Sequence, residues 1–258
     1  MTKIAAEHFD LTGKRALITG ASRGIGEAIA RTLAANGAEV IISSRKAEGC
    51  EAVARSINDE SGKAVAMPCH IGEMDQVYAT FERIRGEHGK LDILVNNAAA
   101  NPYFGHILDT ELGAFEKTVD VNIRGYFYMS AEAGKIMRDN GGGAILNVAS
   151  VNGVIPGPMQ GIYSITKAAI ISMTKAFARE CAGANIRVNA LLPGITETKF
   201  ASALTQNEDM LKLLLPHLPM GRVAEPQEMA GAALYLVSGA ASYTTGACLT
   251  VDGGYLTA

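Results

Sequence analysis

The chain has little of several residue types, and each shortage excludes a class of protein. It has no tryptophan and four cysteines, which stand far apart at positions 50, 69, 181 and 248. This spacing suits neither a zinc site nor a disulfide framework, so we expect reduced, structural thiols in a cytoplasmic protein. The five histidines, at positions 8, 70, 88, 106 and 217, also lack ligand-like spacing. We therefore expect no metal site.

Charge and hydropathy exclude further classes of protein. Lysine and arginine number 23 against 26 acidic residues, the net charge is −3, and no basic run occurs. This balance predicts binding neither to nucleic acid nor to an anionic membrane. No stretch approaches the roughly 18 apolar residues that cross a bilayer, and the first ten residues lack the apolar segment of a signal peptide. The 258 residues, 48% of them apolar, suit a single globular domain over 1–258.

Strand-like and helix-like segments alternate along the chain. The strand-like runs cover 16–19, 39–43, 64–67, 93–96, 144–149, 187–191 and 247–251. The helical patterns cover 24–36, 47–60, 74–87, 112–138, 163–181 and 225–237. This alternation predicts an α/β fold, a doubly wound parallel sheet of about seven strands with helices on both faces. The irregular segment 193–222 is long enough to predict a substrate lid at about 195–220.

A glycine-rich turn follows the first strand. It runs Thr19-Gly20-Ala21-Ser22-Arg23-Gly24-Ile25-Gly26 and opens into a helical pattern. Glycines at such a turn let the backbone approach a pyrophosphate, and the helix N-terminus supplies N–H groups and a favourable dipole. The spacing differs from GxGxxG, so an αβ turn without a ligand is the alternative that the other motifs must decide.

Tyr163 and Lys167 stand four residues apart in a helical pattern and therefore share one face. A free tyrosine has a pKa of about 10. A nearby cation lowers that pKa, and a tuned tyrosine can act as a general acid or base. Ordinary solvated helix faces carry the same spacing, so the pair alone does not specify a function.

Two further polar residues occupy unusual places. Ser150 follows the strand-like run 144–149, and ligands bind at the carboxyl ends of parallel strands, where a hydroxyl could stabilise charge on a carbonyl oxygen. Asn122 lies inside the long helical pattern, although its side chain competes there for backbone hydrogen bonds. Its position suggests that it holds a water or distorts the helix.

With these motifs in view, the chain resembles the short-chain dehydrogenase/reductase family, from about Leu11 to Gly254. The matching positions are Gly20, Gly24, Gly26, Asn96-Asn97-Ala98-Ala99, Asn122, Ser150, Tyr163, Lys167, Pro193-Gly194, Thr198 and Val251-Asp252-Gly253-Gly254. Two positions depart from the family pattern, since Ala99 stands for the usual glycine and His70 for the usual aspartate. The second departure leaves His70 or a backbone group to contact the adenine amino group.

The resemblance implies hydride transfer between a nicotinamide cofactor and a ketone, an aldehyde or a secondary alcohol. It implies that Tyr163 exchanges the proton, that Lys167 lowers the pKa of Tyr163 and binds the nicotinamide ribose, and that Ser150 polarises the carbonyl. Asn122 would hold a water that resupplies protons. The cofactor-binding residues expected from the motifs and the resemblance are Gly20, Ser22, Arg23, Gly24, Ile25, Gly26, Ser44, Arg45, His70, Ile71, Asn97, Ala98, Ala99, Tyr163, Lys167, Pro193, Gly194, Thr196 and Thr198. Relatives commonly form homotetramers.

The end of the second strand favours NADP(H) over NAD(H). NAD-binding relatives place an acid where Ser44 stands, and a carboxylate there would repel a 2′-phosphate. Here Ser44 is followed by Arg45, and Arg23 lies within the glycine-rich turn. Two guanidinium groups suit a phosphate dianion through charge-assisted hydrogen bonds.

The substrate is less well specified. The segments able to line a pocket offer mainly apolar side chains, namely Val154, Ile155, Met159, Phe200 and Leu204. They favour an apolar ketone, aldehyde or alcohol, and several motifs are similar to those of NADP-dependent carbonyl and retinal reductases. Two alternatives stay open, a 3-oxoacyl carrier-protein reductase and a cofactor-binding sensor that performs no chemistry.

Overall fold

The computed structural model describes residues 7–205 and 208–257. Seven parallel strands form one sheet in the order β3-β2-β1-β4-β5-β6-β7. The strands are β1 Arg15–Thr19, β2 Glu39–Ser43, β3 Lys63–Ala66, β4 Ile93–Asn96, β5 Gly143–Val148, β6 Ile186–Pro193 and β7 Cys248–Val251. The order steps outward from β1 in both directions, so the expected doubly wound α/β fold is confirmed.

Helices cover both faces of the sheet. They are α1 Gly24–Ala35, α2 Ala47–Asp59, α3 Met74–Arg83, α4 Leu112–Val119, α5 Tyr126–Asp139, α6 Gly161–Cys181, α7 Ser202–Thr205, α8 Glu208–Leu214 and α9 Gln227–Val237. Within the described ranges, no helix combines the length and the apolar composition needed to cross a membrane.

The strands read as continuous apolar runs because both faces of the sheet are buried. Successive side chains alternate between two cores, so Ile18 and Val95 pack under α1 and α9, and Leu17 and Leu94 pack under α5 and α6. Leu17 lies opposite Ile41 of β2 on one side and Leu94 of β4 on the other. This register places the carboxyl ends of the central strands at one edge of the sheet.

Buried amides join the central strands to the helices. Asn96 Nδ2 on β4 donates to Asn147 Oδ1 on β5 (2.9 Å) and to Ser130 Oγ on α5 (2.9 Å). Asn147 Nδ2 donates in turn to Thr174 Oγ1 on α6 (3.0 Å). The amide oxygen and the amide nitrogen of Asn147 are therefore both hydrogen-bonded in a buried environment, where the loss of a partner destabilises the fold.

The long helix expected over 112–138 is interrupted. Asp120–Gly125 form a π-helical segment between α4 and α5, and Asn122 lies within it. The expectation that Asn122 distorts the helix agrees with this segment, which interrupts the α-helical bonding. A second π-helical segment, Ile84–His88, extends α3, which the sequence pattern did not indicate.

The segment 193–222 is not irregular throughout, and that expectation was wrong. It contains α7, α8 and a 3₁₀ turn over Leu215–His217. Its first part is held by a bridge between Thr196 and Ala224. Residues 206 and 207, inside the expected lid, and the side chain of Leu204 lie outside the described residues.

We expect Asn147→Ala to lower the free energy of unfolding by about 1–3 kcal/mol, because Asn96 Nδ2 and Thr174 Oγ1 each lose a buried partner. Chemical denaturation followed by circular dichroism measures the change. The matched control is Asn140→Ala, since Asn140 is exposed and its side chain, among the described residues, bonds the Ile136 carbonyl alone. An equal effect of the two substitutions would contradict the role of the buried network.

Candidate active site

A cavity of about 610 Å³ opens at the carboxyl edge of the sheet. Its walls come from the segments that follow β1, β2, β3, β4, β5 and β6 and from the start of α6. This is where open α/β sheets bind ligands, because the strand order reverses there. The cavity brings together the expected residues Gly20, Ser22, Arg23, Gly24, Ile25, Ser44, Arg45, His70, Ile71, Asn97, Ala98, Ala99, Ser150, Tyr163, Lys167, Pro193, Gly194, Thr196 and Thr198.

The glycine-rich turn has the shape that a pyrophosphate needs. Gly20 and Gly24 have φ of +63° and +60°, which side chains disfavour. A Cβ at Gly24 would lie 3.2 Å from Thr198 Cγ2, so it would fill the gap between the turn and the opposite wall. Within the described chain, the first turn of α1 has no side-chain cap, which leaves its N–H groups for a ligand.

Gly26 packs against the glycine-rich turn and does not line the cavity. It is buried, and a Cβ there would lie 2.5 Å from the Gly20 carbonyl oxygen. The glycine therefore lets α1 approach the turn closely. Among the described cavity residues Gly26 does not appear, so its expected direct contact with the cofactor is not what the geometry indicates.

Hydrogen bonds lock the segment after β4 to the turn after β1. Thr19 Oγ1 accepts from the backbone N–H groups of Asn97 (2.9 Å) and Ala98 (3.1 Å). Asn97 Nδ2 donates to the Thr19 carbonyl at 3.0 Å and to the Gly20 carbonyl at 3.2 Å. The two walls of the cavity are thus held at a set separation.

The end of the cavity at β2 is cationic. Ser22 Oγ donates to Ser44 Oγ at 3.1 Å, joining the glycine-rich turn to the end of β2. Arg23 and Arg45 flank this pair, are exposed, and form no ion pair within the part of the chain that the structure describes. No aspartate or glutamate is among the described cavity residues. An anionic ligand therefore meets only basic and neutral groups.

At the end of β3, His70 contacts Lys117 of α4. His70 Nδ1 accepts from the Gly72 N–H at 3.1 Å, and His70 Nε2 lies 3.1 Å from Lys117 Nζ. Burial lowers the pKa of His70, and the charges of Lys117 and Arg45 lower it further. The lowered pKa favours the neutral imidazole.

Ser150, Tyr163 and Lys167 meet at the other end. Ser150 caps a 3₁₀ turn over Val151–Gly153, where its Oγ accepts from the Asn152 N–H at 3.1 Å. The Ser150 side chain also interacts with the Tyr163 phenol, which acts to lower the pKa of that phenol. Tyr163 and Lys167 lie in the first two turns of α6, which begins two residues earlier than expected, and both are buried.

Lys167 is held beneath the phenol by main chain and by aromatic faces. Its Nζ donates to the Val148 carbonyl at 2.8 Å. The same Nζ lies 5.4 Å from the ring centroid of Tyr163 and 5.6 Å from that of Tyr126, distances at which rings attract a cation. Burial lowers the pKa of Lys167 to about 7.

The pKa of Tyr163 is not lowered in this structure. Burial raises it, and the hydrogen bond from Ser150 only partly opposes that effect. The expected depression by Lys167 is absent for a physical reason, because burial penalises the charged form of both groups.

Asn122 is not among the described residues that line the cavity. It is fully buried and clamps Ala100, since Nδ2 donates to the Ala100 carbonyl (3.0 Å) and Oδ1 accepts from the Ala100 N–H (2.8 Å). Nδ2 also donates to Thr166 Oγ1 at 3.0 Å. Both amide hydrogens are thus taken by the protein, so a water at this position would need the remaining lone pair of Oδ1 or main-chain groups.

The end of the cavity beside Tyr163 is largely apolar, although Asn101, Asn152, Gln160 and Lys199 also line the described wall. Phe104, Val151, Phe200 and Leu214 line it, and the ring of Phe200 lies 5.8 Å from that of Tyr163. Val154, Ile155 and Met159, which were expected here, are instead about half exposed and do not line the described cavity. These three side chains point to solvent, whereas Pro158 and Gln160 of the same loop line the cavity.

Sequence reasoning missed several cavity residues. They are Ala100, Lys117, Val121, Tyr255 and the strand-end pair Val148 and Ala149. Asn101 also lines the cavity, and its Nδ2 donates to Gln160 Oε1 at 3.3 Å. Lys117 had no detectable signal, because only folding brings α4 beside the end of β3.

Fold and cavity together define a dinucleotide-binding α/β protein. Comparison with known proteins narrows this class. Residues 20–256 match the family model described as enoyl-(acyl carrier protein) reductase. Dehydrogenase/reductase SDR family member 4 from Homo sapiens is 36% identical over 247 residues, which cover 95% of this chain and 88% of that protein.

Solved structures agree. The chain is similar to a gluconate 5-dehydrogenase from Burkholderia cenocepacia J2315 in complex with NADP and tartrate, with 34% identity, a TM-score of 0.95, and coverage of 98% and 99% of the two chains. It is also similar to a 7α-hydroxysteroid dehydrogenase complexed with NADH and 7-oxoglycochenodeoxycholic acid, with 34% identity, a TM-score of 0.92 and 96% coverage of each chain. The protein belongs to the short-chain dehydrogenase/reductase family of oxidoreductases.

The lowered pKa of Lys167 predicts how stability depends on pH. An unfolded lysine titrates at about 10.4, so above pH 7 the unfolded chain binds more protons than the folded one. The free energy of unfolding of the cofactor-free protein should therefore rise between about pH 7 and 10, by at most about 1.4 kcal/mol per pH unit from this group. Above about pH 10 the raised pKa of Tyr163 acts in the opposite direction.

Urea denaturation at intervals from pH 7 to 9.5 measures this slope. Lys167→Met should flatten it, because the methionine does not titrate. The control is Lys175→Met, which removes an exposed lysine of the same helix. Equal slopes in the protein and in Lys167→Met would contradict the burial of an uncharged amine.

Proposed function

We propose that this protein is an NADP(H)-dependent carbonyl reductase or alcohol dehydrogenase that acts on an apolar ketone, aldehyde or secondary alcohol. One observation carries the proposal. Ser150, Tyr163 and Lys167 converge in the same cavity as an uncapped glycine-rich turn. A proton donor thus stands beside a place that accepts a dinucleotide, and this arrangement suits hydride transfer coupled to proton transfer.

Each residue has a definite task in this scheme. The Ser150 hydroxyl donates to the substrate oxygen and orients it. The Tyr163 phenol, which stays protonated at neutral pH, gives its proton to that oxygen as negative charge develops in reduction, and the reverse transfer serves oxidation. The cofactor, when bound, supplies or accepts the hydride.

Lys167 positions and tunes the phenol. Its pKa near 7 lets it exchange a proton at neutral pH, and its fixed bond to the Val148 carbonyl holds it under the ring. A ligand hydroxyl or phosphate near the amine would favour the ammonium, which in turn would lower the pKa of Tyr163. Asn122 acts indirectly by holding the Ala100 backbone in the cavity wall.

Charge supports NADP(H) as the cofactor. Five basic residues line the cavity, namely Arg23, Arg45, Lys117, Lys167 and Lys199, and no acidic residue appears beside them in the described part of the wall. An acid at the end of β2 would repel a 2′-phosphate, and Ser44 stands there instead. The relative crystallised with NADP supports a nicotinamide cofactor, and the two arginines favour its phosphorylated form.

The lining supports an apolar substrate under a lid over about 195–220. Phe200 and Leu214 reach the cavity from this segment. The family description that mentions acyl carrier protein keeps acyl thioesters among the substrates to be tested. A cytoplasmic location, suggested by four free thiols, stays a prediction.

Exposed apolar side chains support assembly into a homo-oligomer, as in the homotetramers of relatives. Phe115, Phe127 and Tyr128 of α4 and α5 are between 37% and 46% exposed, and Ile165 of α6 is 55% exposed. Exposed apolar patches of this kind favour association. Ala133 of α5 and Ala178 of α6 are buried in the core and are not available to such an interface.

We expect Tyr163→Phe to lower kcat by about 10²- to 10⁴-fold, because the general acid is lost. The affinity for NADPH should change little. Turnover is followed as NADPH oxidation with a panel of apolar ketones, aldehydes and an acyl thioester, and affinity is measured by calorimetry. Tyr243→Phe, at a fully exposed tyrosine, is the matched control.

The same measurements separate the alternatives. Turnover confined to acyl thioesters would favour the carrier-protein reductase. Tight NADPH binding without turnover of any substrate would favour the sensor. A Tyr163→Phe variant that keeps full activity would refute the acid role of the phenol.

We expect Arg45→Met to lower the preference for NADPH over NADH by about tenfold, which corresponds to one charge-assisted hydrogen bond to the 2′-phosphate. The ratio of kcat/KM for the two cofactors on one active ketone measures the preference. Arg55→Met, at an exposed arginine of α2, controls for the change in net charge. A protein that prefers NADH before any substitution would exclude the assigned role of Arg23 and Arg45.

A further inference from the structure

The wall of the cavity beyond β2 bears on recognition of the cofactor base, and this inference rests on the proposed dinucleotide cofactor. The pyrophosphate belongs at the turn after β1 and the ribose at the end of β2. The sheet order continues to β3, so the purine is carried to the carboxyl end of that strand. His70, Ile71 and Lys117 line the cavity there.

The His70–Lys117 pair offers hydrogen-bond donors and no free acceptor. Nδ1 lies 3.1 Å from the Gly72 N–H and Nε2 lies 3.1 Å from Lys117 Nζ. Both ring nitrogens of His70 therefore point at protein groups, and in neither tautomer is a lone pair free for a ligand. The N–H groups left for a ligand are those of Lys117, and an ammonium never accepts.

Donors on the wall need acceptors on the ligand. The outer edge of adenine presents the N7 acceptor and the 6-amino donor, whereas a 6-oxopurine presents two acceptors, O6 and N7. A 6-amino group facing His70 and Lys117 would set donor against donor. A carboxylate at the position of His70 would instead accept from that amino group.

We propose that Lys117, placed beside His70, binds the purine of the cofactor through its acceptor atoms, so that the site accepts a 6-oxopurine dinucleotide at least as well as the 6-aminopurine form. The pair thereby makes base recognition independent of the amino group. Lys117 contributes to this recognition because its positive charge strengthens a hydrogen bond to an acceptor atom at this edge of the purine.

The test compares the dissociation constants of NADPH and of its deaminated analogue, which carries hypoxanthine in place of adenine. Calorimetry on the full chain measures both. We expect the unsubstituted protein to bind the analogue as tightly as NADPH, within about threefold, or more tightly. His70→Asp should shift the ratio toward NADPH by about tenfold, because it introduces an acceptor for the amino group.

Two further variants keep the result interpretable. Lys117→Met should weaken binding of the analogue more than binding of NADPH. Lys46→Met, which removes an exposed cation outside the described cavity wall, should leave the ratio unchanged.

Two outcomes would overturn the inference while the proposed function stands. One is an unsubstituted protein that binds the analogue at least about tenfold more weakly than NADPH, as a backbone carbonyl contacting the amino group would produce. The other is a ratio that neither His70→Asp nor Lys117→Met changes. A protein that binds neither dinucleotide would refute the proposed function itself.

Discussion

The reactive end of the cavity depends on one buried amine. Lys167 lies in a dry region that disfavours its charge and lowers its pKa, and its Nζ is held there by a hydrogen bond to the Val148 carbonyl and by two aromatic rings. This carbonyl ends β5, so the lysine ties α6 to the strand that carries Ser150 just beyond. One turn earlier on α6, the phenol of Tyr163 is set against Ser150. The lysine and the proton donor are thereby placed on one face of α6, next to the end of β5.

The cationic end of the cavity depends on a different feature, the meeting of the carboxyl ends of parallel strands. Thr19 and Asn97 hold the turns after β1 and β4 together, while Ser22 and Ser44 join those after β1 and β2. The resulting wall contains arginine, lysine and histidine and, in its described part, no acid. Affinity for a phosphorylated dinucleotide and discrimination at its purine edge would thus arise from separate parts of one cationic surface.

Local pattern predicted much of this architecture. The apolar runs of β2 and β4 matched their observed bounds, because strands buried on both faces need a continuous apolar sequence. The glycine-rich turn and the Tyr163–Lys167 spacing are equally local and were recognised. Local sequence patterns predicted the wrong role for a residue where contacts made only in the folded chain override its local preference. Asn122 interrupts a helix to clamp Ala100, and Val154 and Ile155 point to solvent although their hydropathy suggests a pocket.

The sequence alone determined the alternation of strands and helices, the family resemblance, and the residue types able to transfer a proton and hold a phosphate. Those properties depend on neighbours within a few positions. Only the tertiary structure decided that Lys117 stands beside His70, that Asn122 supports a wall instead of lining it, and that Tyr163 and Lys167 are both dry enough for burial to govern their pKa values. The reason is physical: desolvation and long-range hydrogen bonding depend on what the fold brings together, and no local pattern encodes either.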